Sequence, residues 1–542
     1  MRVCLSRARS IVVISALAAV AALQSRGFAG AQGKPALTPQ ERRGKQIYLK
    51  GEAGGGEIIA YLGSSELELP ASSFTCANCH GPRGEGLKEG GLEPPPIDWE
   101  TLTSGHLSSL TGRERPPYDE TTLARAISAG IGSGGEKLHP GMPRYKMTSA
   151  QMADLIAYLK RMGGEADLDP GLTGETIKVG AALPVTGPLA AIGEDVKMAL
   201  EAIFTDINSQ GGIYGRKFEL VVEDSGGHSD GALEATRRLV ERDGVFALVA
   251  SFERGDSDAT SEFLRRREVP LIGPVTLSPR IAAVPNPYVF YLLPSFGDQA
   301  RSLADYVAAE ASQSNNKTKP DIAVIWSDSD FDRGAREGLL AQARLHSMDV
   351  VFDQGYRSGK LAAVPLAEAL GAKRPDAVFY FGGPDEFAAL ARAIDEAKLE
   401  LRLYSSAMMV GQAAFSLPAS VASRTYLAYA AAVPDQAEFA EFLSVMRRGG
   451  VTLRNMAFQS VAYAAARLLV EATKSSGRHL SRAGLIKALE QLKDFKTGVV
   501  PPLSFGPNRR IGARGSLIVG IDPVNRQYRP LTDRIVPKEN RH

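Results

Sequence analysis

The chain has 542 residues, with 63 Lys plus Arg against 61 Asp plus Glu, 44% hydrophobic residues and three cysteines. That length suits two or three domains, and the near-balanced charge gives no electrostatic reason to expect nucleic acid or an anionic membrane surface as the main partner. The 55 Gly and 32 Pro follow no short period, and the apolar fraction is globular, which excludes a disordered or collagen-like chain.

Residues 1–31 have the pattern of a secretory signal. Arg2, Arg7 and Arg9 precede an apolar run over 11–23, and Ala29-Gly30-Ala31 offers a small-residue cleavage site near Ala31. A transmembrane anchor is the competing reading, but that run is too short for a hydrocarbon core of roughly 30 Å. Cleavage would remove Arg2, Arg7, Arg9 and Arg26 and no acid, taking the formal charge from +2 to −2. It would also remove Cys4, leaving Cys76 and Cys79. The mature chain is expected in the periplasm.

After the signal, the spacing predicts a helix over 38–50, with Thr38 as cap, Pro39 in the first turn, and Ile47 and Tyr48 as its apolar edge. The Gly-rich stretch 51–73 is weakly patterned and suggests no role. Residues 81–117, rich in Gly and Pro, read mainly as loop, and helices follow over 119–129 and 149–162. Segment 163–175 lacks periodicity and reads as a linker. Beyond it strands alternate with helices: strands over 177–183, 217–223, 246–250, 270–272, 322–326, 349–353 and 377–381, and helices such as 195–209 and 231–242. Such alternation implies mostly parallel sheets covered on both faces, and roughly 360 residues is long for one sheet, so two α/β lobes are expected.

Cys76-Ala77-Asn78-Cys79-His80 has the spacing of c-type haem attachment. Each thiol adds across one haem vinyl group, and the adjacent His is placed to ligate the iron. A dithiol redox pair or half a zinc site competes, but zinc needs two more ligands and the mature chain has no other cysteine. Met142, Met147, His139 and His106 are the candidates for the second axial ligand. Residues 119–162 resemble the second half of a class I cytochrome c: a helix ending at Ala129-Gly130, a loop carrying Gly141-Met142-Pro143, and a helix containing Tyr158-Leu159. Gly44, Tyr48 and the 76–81 run fit upstream. The resemblance implies a small all-α domain over 32–162 with one covalent haem c. In that family the Met before Pro is the distal ligand, which places the iron between His80 and Met142, with His139 the main competitor. A backbone carbonyl of Pro94-Pro95-Pro96 is expected to orient His80. Two further motifs are discounted. Gly130-Ile131-Gly132-Ser133-Gly134-Gly135 follows a helix rather than a strand, so it is no dinucleotide fingerprint. Asp328, Asp330 and Asp332 lack the Gly and acid positions of a calcium loop and read as a strand-to-helix turn.

Residues 176–535 resemble the type I periplasmic binding proteins of branched-chain amino-acid transport. The carrying features are Ile177-Lys178-Val179-Gly180, Leu183-Pro184-Val185-Thr186-Gly187-Pro188, Gly211-Gly212-Ile213-Tyr214-Gly215-Arg216, Val222-Glu223-Asp224 and Pro375-Asp376-Ala377-Val378. The resemblance implies two α/β lobes closing on a small ligand, with an ABC permease as a further partner. It also implies a ligand set of Phe252, Glu253, Thr276, Phe331, Gly382, Ser406 and Met408. Here the sequence departs from the family: Phe252 and Glu253 interrupt the usual Ser/Thr run, Phe331 replaces a Tyr, and no acid stands near Ser406 and Ala407 to pair a ligand's ammonium group. An unpaired, desolvated ammonium is costly, so the expected ligand is a small organic molecule other than an ordinary amino acid. For each aromatic, plain core packing is an equally good reading.

The expected function is a mono-haem electron carrier fused to a small-molecule-binding module, with a periplasmic dehydrogenase or another cytochrome as redox partner. The alternative is a transport receptor or sensor whose binding follows haem redox state. An enzyme is not expected, because two axial ligands leave iron no open site and no Gly-x-Ser-x-Gly elbow occurs.

Overall fold

Thr38 opens the first helix, its hydroxyl accepting the Glu41 N–H while the Glu41 carboxylate accepts the Thr38 N–H. The computed structural model describes residues 37–538 except 55, 63–66, 88–93, 105, 108–113, 254–257, 277–284, 314–318 and 432–435. The predicted signal and its cleavage site lie outside the described residues. The chain divides into two compact units, Met1–Leu168 and Asp169–His542.

The first unit runs α1 (Pro39–Lys50), β1 (Ile59–Tyr61), β2 (Leu69–Pro70), α2 (Cys76–His80), α3 (Glu120–Ala129), β3 (Arg144–Lys146) and α4 (Ser149–Leu159). Helices α1 and α4 cross at Gly44, where a Cβ would lie 2.0 Å from the Asp154 carbonyl oxygen, so only glycine permits this approach. Arg43 forks onto Asp154 beside the crossing (2.7 and 2.9 Å), and the Tyr48 and Tyr158 rings pack 5.6 Å apart beneath it. The weakly patterned stretch 51–73 forms structure that the sequence did not suggest. β1 pairs antiparallel with both β2 and β3, so this mainly helical unit also carries a small sheet. Strands of two or three residues leave no readable period.

The predicted linker is folded rather than free, because two of its acids, Asp167 and Asp169, are bound. Asp167 is buried, pairs with Lys45 at 2.8 Å and accepts the Tyr158 hydroxyl at 3.2 Å within the first unit. In the second unit, Asp169 accepts the Arg482 N–H at 2.6 Å, and Leu172 is buried.

The second unit has two sheets. Strands β4 (Thr176–Leu183), β5 (Lys217–Asp224), β6 (Ala247–Val249), β7 (Leu271–Ile272) and β8 (Val289–Phe290) form an all-parallel sheet in the order β8-β7-β6-β4-β5, with α5 (Ala190–Ser209) following β4. The chain then enters the second lobe through α6 (Phe296–Gln313), β9 (Asp321–Ser327), α7 (Asp330–Leu345), β10 (Asp349–Tyr356), β11 (Ala377–Phe381), α8 (Pro384–Glu396), β12 (Leu403–Ser406) and β13 (Thr425–Tyr429). It returns to the first lobe, where α9 (Met456–Ser475) packs on α5, and comes back as β14 (Leu517–Asp522) and β15 (Gln527–Pro530). The second sheet is ordered β10-β9-β11-β12-β13-β14-β15, parallel up to β13 and antiparallel after it. The first and third crossings run side by side: Tyr291 bridges Ile511, its N–H donating to the Arg510 carbonyl and its carbonyl accepting from Gly512. Asp328, Asp330 and Asp332 occupy a strand-to-helix turn, as read from the sequence, with Ser329 capping α7.

Gly44→Ala is expected to force α1 and α4 apart and to cost about 1–3 kcal/mol, the usual range for overpacking a tight contact. Urea titration followed by hydrogen exchange in α1 and α4 peptides checks this.

Candidate functional site

The short helix α2 begins after Thr75 and ends at Gly81 (φ 80°), one turn carrying Cys76, Cys79 and His80. All three line a cavity of about 500 Å³ in the first unit, with Met142 and His139 also on its wall. Burial pushes the Cys76 thiol up to about 12. His80 Nδ1 lies 3.0 Å from the Pro95 carbonyl oxygen. A carbonyl can only accept, so Nδ1 carries the proton and Nε2 keeps its lone pair for a ligand. Burial also holds His80 below the ordinary imidazole range, although the Pro95 hydrogen bond opposes that shift.

Met142 sits in a loop held by backbone. Its N–H donates to the His139 carbonyl at 3.0 Å, and His139 Nδ1 accepts from Gly141 N–H at 3.0 Å. Arg144, which no sequence motif singles out, clamps this loop. Its guanidinium donates to the carbonyls of Met142 and Leu138 and packs so closely on Gly130 that a Cβ there would overlap it. Gly130 ends α3 in the left-handed region (φ 68°), so the glycine run discounted as a dinucleotide motif serves as a helix cap and a seat for Arg144. Met147 packs against the core of this unit, and His106 stands in a two-residue strand paired with Glu114–Arg115.

The predicted ligand residues fall into two sets at the carboxyl ends of the parallel strands, where open α/β sheets commonly bind ligands. In the first lobe, Phe252 bridges Val275 and its N–H donates to the Ala182 carbonyl; Glu253 is buried, and half-buried Thr276 follows Val275. In the second lobe, Phe331 stacks edge-to-face on Phe296 at 6.5 Å. Gly382 lies under two phenols, since a Cβ there would be 2.1 Å from the Tyr356 hydroxyl. Ser406 is turned into the core, donating to Gln299 Oε1 at 2.7 Å and accepting the Met408 N–H, whereas Met408 is exposed. An acid unnoticed in the sequence, Glu386, stands near Gly382. Its oxygens already accept the Tyr356 hydroxyl (3.1 Å) and the Gly359 N–H (2.8 Å).

The model of the periplasmic binding protein family matches residues 176–523. The chain belongs to that family. Ahead of this periplasmic binding protein domain, the cytochrome c family model matches residues 69–163. Among curated relatives, Leu/Ile/Val-binding protein homolog 3 of Brucella melitensis biotype 1 is 24% identical over 323 residues, 60% of this chain and 85% of the relative. An amino acid binding protein of Pseudomonas aeruginosa is 25% identical over 229 residues, 42% of this chain and 60% of the relative. Among solved structures, a fatty acid ABC transporter substrate-binding protein from Thermomonospora curvata aligns with TM-score 0.55 at 20% identity, covering 69% of this chain and 95% of its own. A branched-chain amino acid ABC transporter protein from Thermus thermophilus with bound valine gives 0.53 at 19%, covering 67% and 96%.

A cytochrome c domain implies covalently bound haem c, and the residues present fit it. Two thiols and an imidazole with an available nitrogen share one cavity with a thioether sulfur, and the buried Thr75 hydroxyl on its wall has no hydrogen-bond partner among the described residues. Among the described residues of this periplasmic binding protein, no helix is long and apolar enough to cross a membrane.

Arg144→Ala removes the clamp on the Met142 loop. Amide exchange over residues 138–143 is expected to accelerate roughly tenfold or more, each lost charge-assisted hydrogen bond being worth about 1.5–3 kcal/mol, with exchange in α4 unchanged.

Proposed function

We propose that the protein is a periplasmic mono-haem electron carrier joined to a solute receptor, taking electrons from a periplasmic dehydrogenase and passing them to another cytochrome or an oxidase. The observation that carries the reading is the convergence of Cys76, Cys79, His80 and Met142 on one cavity. Cys76 and Cys79 would hold the haem through two thioethers. His80 would ligate its iron through Nε2, with Pro95 fixing the ring, and Met142 would bring a soft sulfur to the iron, which favours the ferrous state. When bound, haem supplies a one-electron redox centre. The apolar surroundings of the site keep water away from it and so favour the lower-charged state.

For the receptor half, the reading is a small, largely apolar or anionic organic ligand. Met408 stands close to where the family places its ammonium-pairing acid, and the Glu386 carboxylate is turned toward the Tyr356 hydroxyl and the Gly359 N–H. Thr276 and loop amides suit a carboxylate or hydroxyl, while Phe252, Phe331 and Met408 can cover carbon. The Thermomonospora curvata protein is a fatty acid ABC transporter substrate-binding protein, so this fold also accommodates ligands without an ammonium group. An ABC permease is the partner such a receptor would serve.

Acidified acetone is expected to leave haem on the polypeptide, and Met142→Ala is expected to abolish the far-red sulfur-to-iron band of the oxidised protein and lower its potential. Haem extracted intact, or a band lost only on His139→Ala, overturns the assignment. Titration calorimetry with leucine and valine is expected to show no binding at micromolar concentrations. A micromolar dissociation constant destroyed by Glu253→Gln would place the ammonium partner in the first lobe instead.

A further inference from the structure

Arg144 brings to the Met142 loop a charge that no carboxylate among the described residues answers. The run 137–153 contains Lys137, Arg144 and Lys146 and no acid. The acids that flank it are turned elsewhere. The Glu136 carboxylate lies against Gly132, where a Cβ would come within 1.9 Å of its Oε1, and Asp154 is forked by Arg43 at 2.7 and 2.9 Å. What Arg144 meets is backbone. Its guanidinium donates to the Met142 carbonyl and, at 3.3 Å, to the Leu138 carbonyl, and it rests on Gly130, where a Cβ would lie 1.7 Å from its Nε. Carbonyl dipoles fix the direction of a guanidinium but carry no net charge, so the positive charge remains. The side chain is half-buried, and burial holds it below the ordinary arginine range with no neighbouring carboxylate pulling the other way. Lys146, two residues further along β3 and on the same face, is exposed, so water and salt screen it.

The position of this charge matters because the carbonyl that Arg144 grips and the sulfur proposed to meet the iron belong to one residue. Ferric haem carries one more positive charge than ferrous haem, and a fixed cation nearby disfavours the more positive state. Half-burial keeps water and ions from cancelling that effect as they do for a charge on the surface. We propose that Arg144 sets the reduction potential of the haem site: its charge, and not only its grip on the loop, favours ferrous iron. The proposal rests on the reading of His80 and Met142 as axial ligands. Reduction places one electron on the iron, and the guanidinium stays charged in both states, so the residue supplies a constant field and exchanges no proton. A potential raised in this way lets the unit draw electrons from weaker reductants. It also requires that the partner taking the electron onward be a stronger oxidant still.

Spectroelectrochemical titration of the full-length, haem-loaded protein tests this, with the far-red sulfur-to-iron band of the oxidised form recorded on the same samples. Arg144→Gln is expected to keep the band and to lower the potential, so that the ratio of reduced to oxidised protein at a fixed applied potential falls roughly tenfold, about 59 mV for one electron. Arg144→Lys keeps the charge and loses the fork, and Lys146→Gln removes a screened charge from the same face. Each is expected to change that ratio by less than about threefold. An unchanged potential in Arg144→Gln with the band present overturns the proposal. An equal fall in Arg144→Lys overturns it as well, by assigning the effect to the hydrogen bonds alone. So does loss of the band in Arg144→Gln, since the residue would then keep the sulfur on the iron rather than set its potential. Absence of the band from the unsubstituted protein is a separate result, which overturns the axial reading itself and this proposal with it.

Discussion

A single turn of helix cannot hold itself together in water, and the first unit is organised around that constraint. Cys76–His80 has only five residues, yet it carries every group proposed to attach the haem from the proximal side. Its stability comes from outside. The Tyr145 hydroxyl donates to the Phe74 carbonyl just before it, and the Tyr48 hydroxyl donates to the Gly81 carbonyl just after it, both at 2.6 Å. Burial pushes both phenols well above their ordinary range, so they remain donors at any physiological pH. The Gly86 and Leu87 N–H groups close the far side by donating to the His80 and Cys79 carbonyls. Helix α1 and strand β3, on either side in the sequence, therefore supply what the short helix lacks.

The same economy explains the stretch 51–73. Residues next to each other on a strand point to opposite faces. On β3, Tyr145 reaches back to the carbonyl before α2, while Arg144 reaches the carbonyls of the Met142 loop. One three-residue strand thus positions both walls of the cavity. Pairing with β1 over Ile59–Tyr61 fixes where β3 lies, which gives the insertion a structural role.

How much could be read in advance follows from how local each determinant is. The haem motif is legible because its chemistry is carried by five consecutive residues, and the helix ends because Thr38 and Thr148 cap within three residues of themselves. The alternation of strands and helices beyond residue 175 is legible because the central parallel strands, such as β4 and β11, are buried on both faces. Arg144 was not, since its role depends on Gly130, fourteen positions earlier, leaving room for a guanidinium. Ser406 shows the same limit in reverse. Its position after a strand suggests a hydroxyl for a ligand, but Gln299, 107 residues away, takes that hydroxyl.

The first lobe of the receptor domain poses this difficulty at its largest scale, because it is built from two chain segments with the second lobe between them. Apolar packing of α9 on α5 favours association but does not fix how the segments align. Three arginines from the returning segment do. Arg454 donates twice to the fully buried Asp195 (2.7 and 3.1 Å) across 259 positions. Arg482 reaches the Phe246 and Val245 carbonyls (2.9 and 2.8 Å) across 236 and 237 positions. Arg510 reaches the Asn286 carbonyl (3.3 Å) across 224 positions and lies over the Phe290 ring. A guanidinium has five donors in a rigid fork, and a carbonyl or carboxylate satisfies it in few orientations. A misaligned docking would leave Asp195 and Arg510 buried without partners, a far larger penalty than a shifted apolar contact. Hydrophobic burial thus draws the segments together, and the arginines select one alignment from those that burial alone would allow.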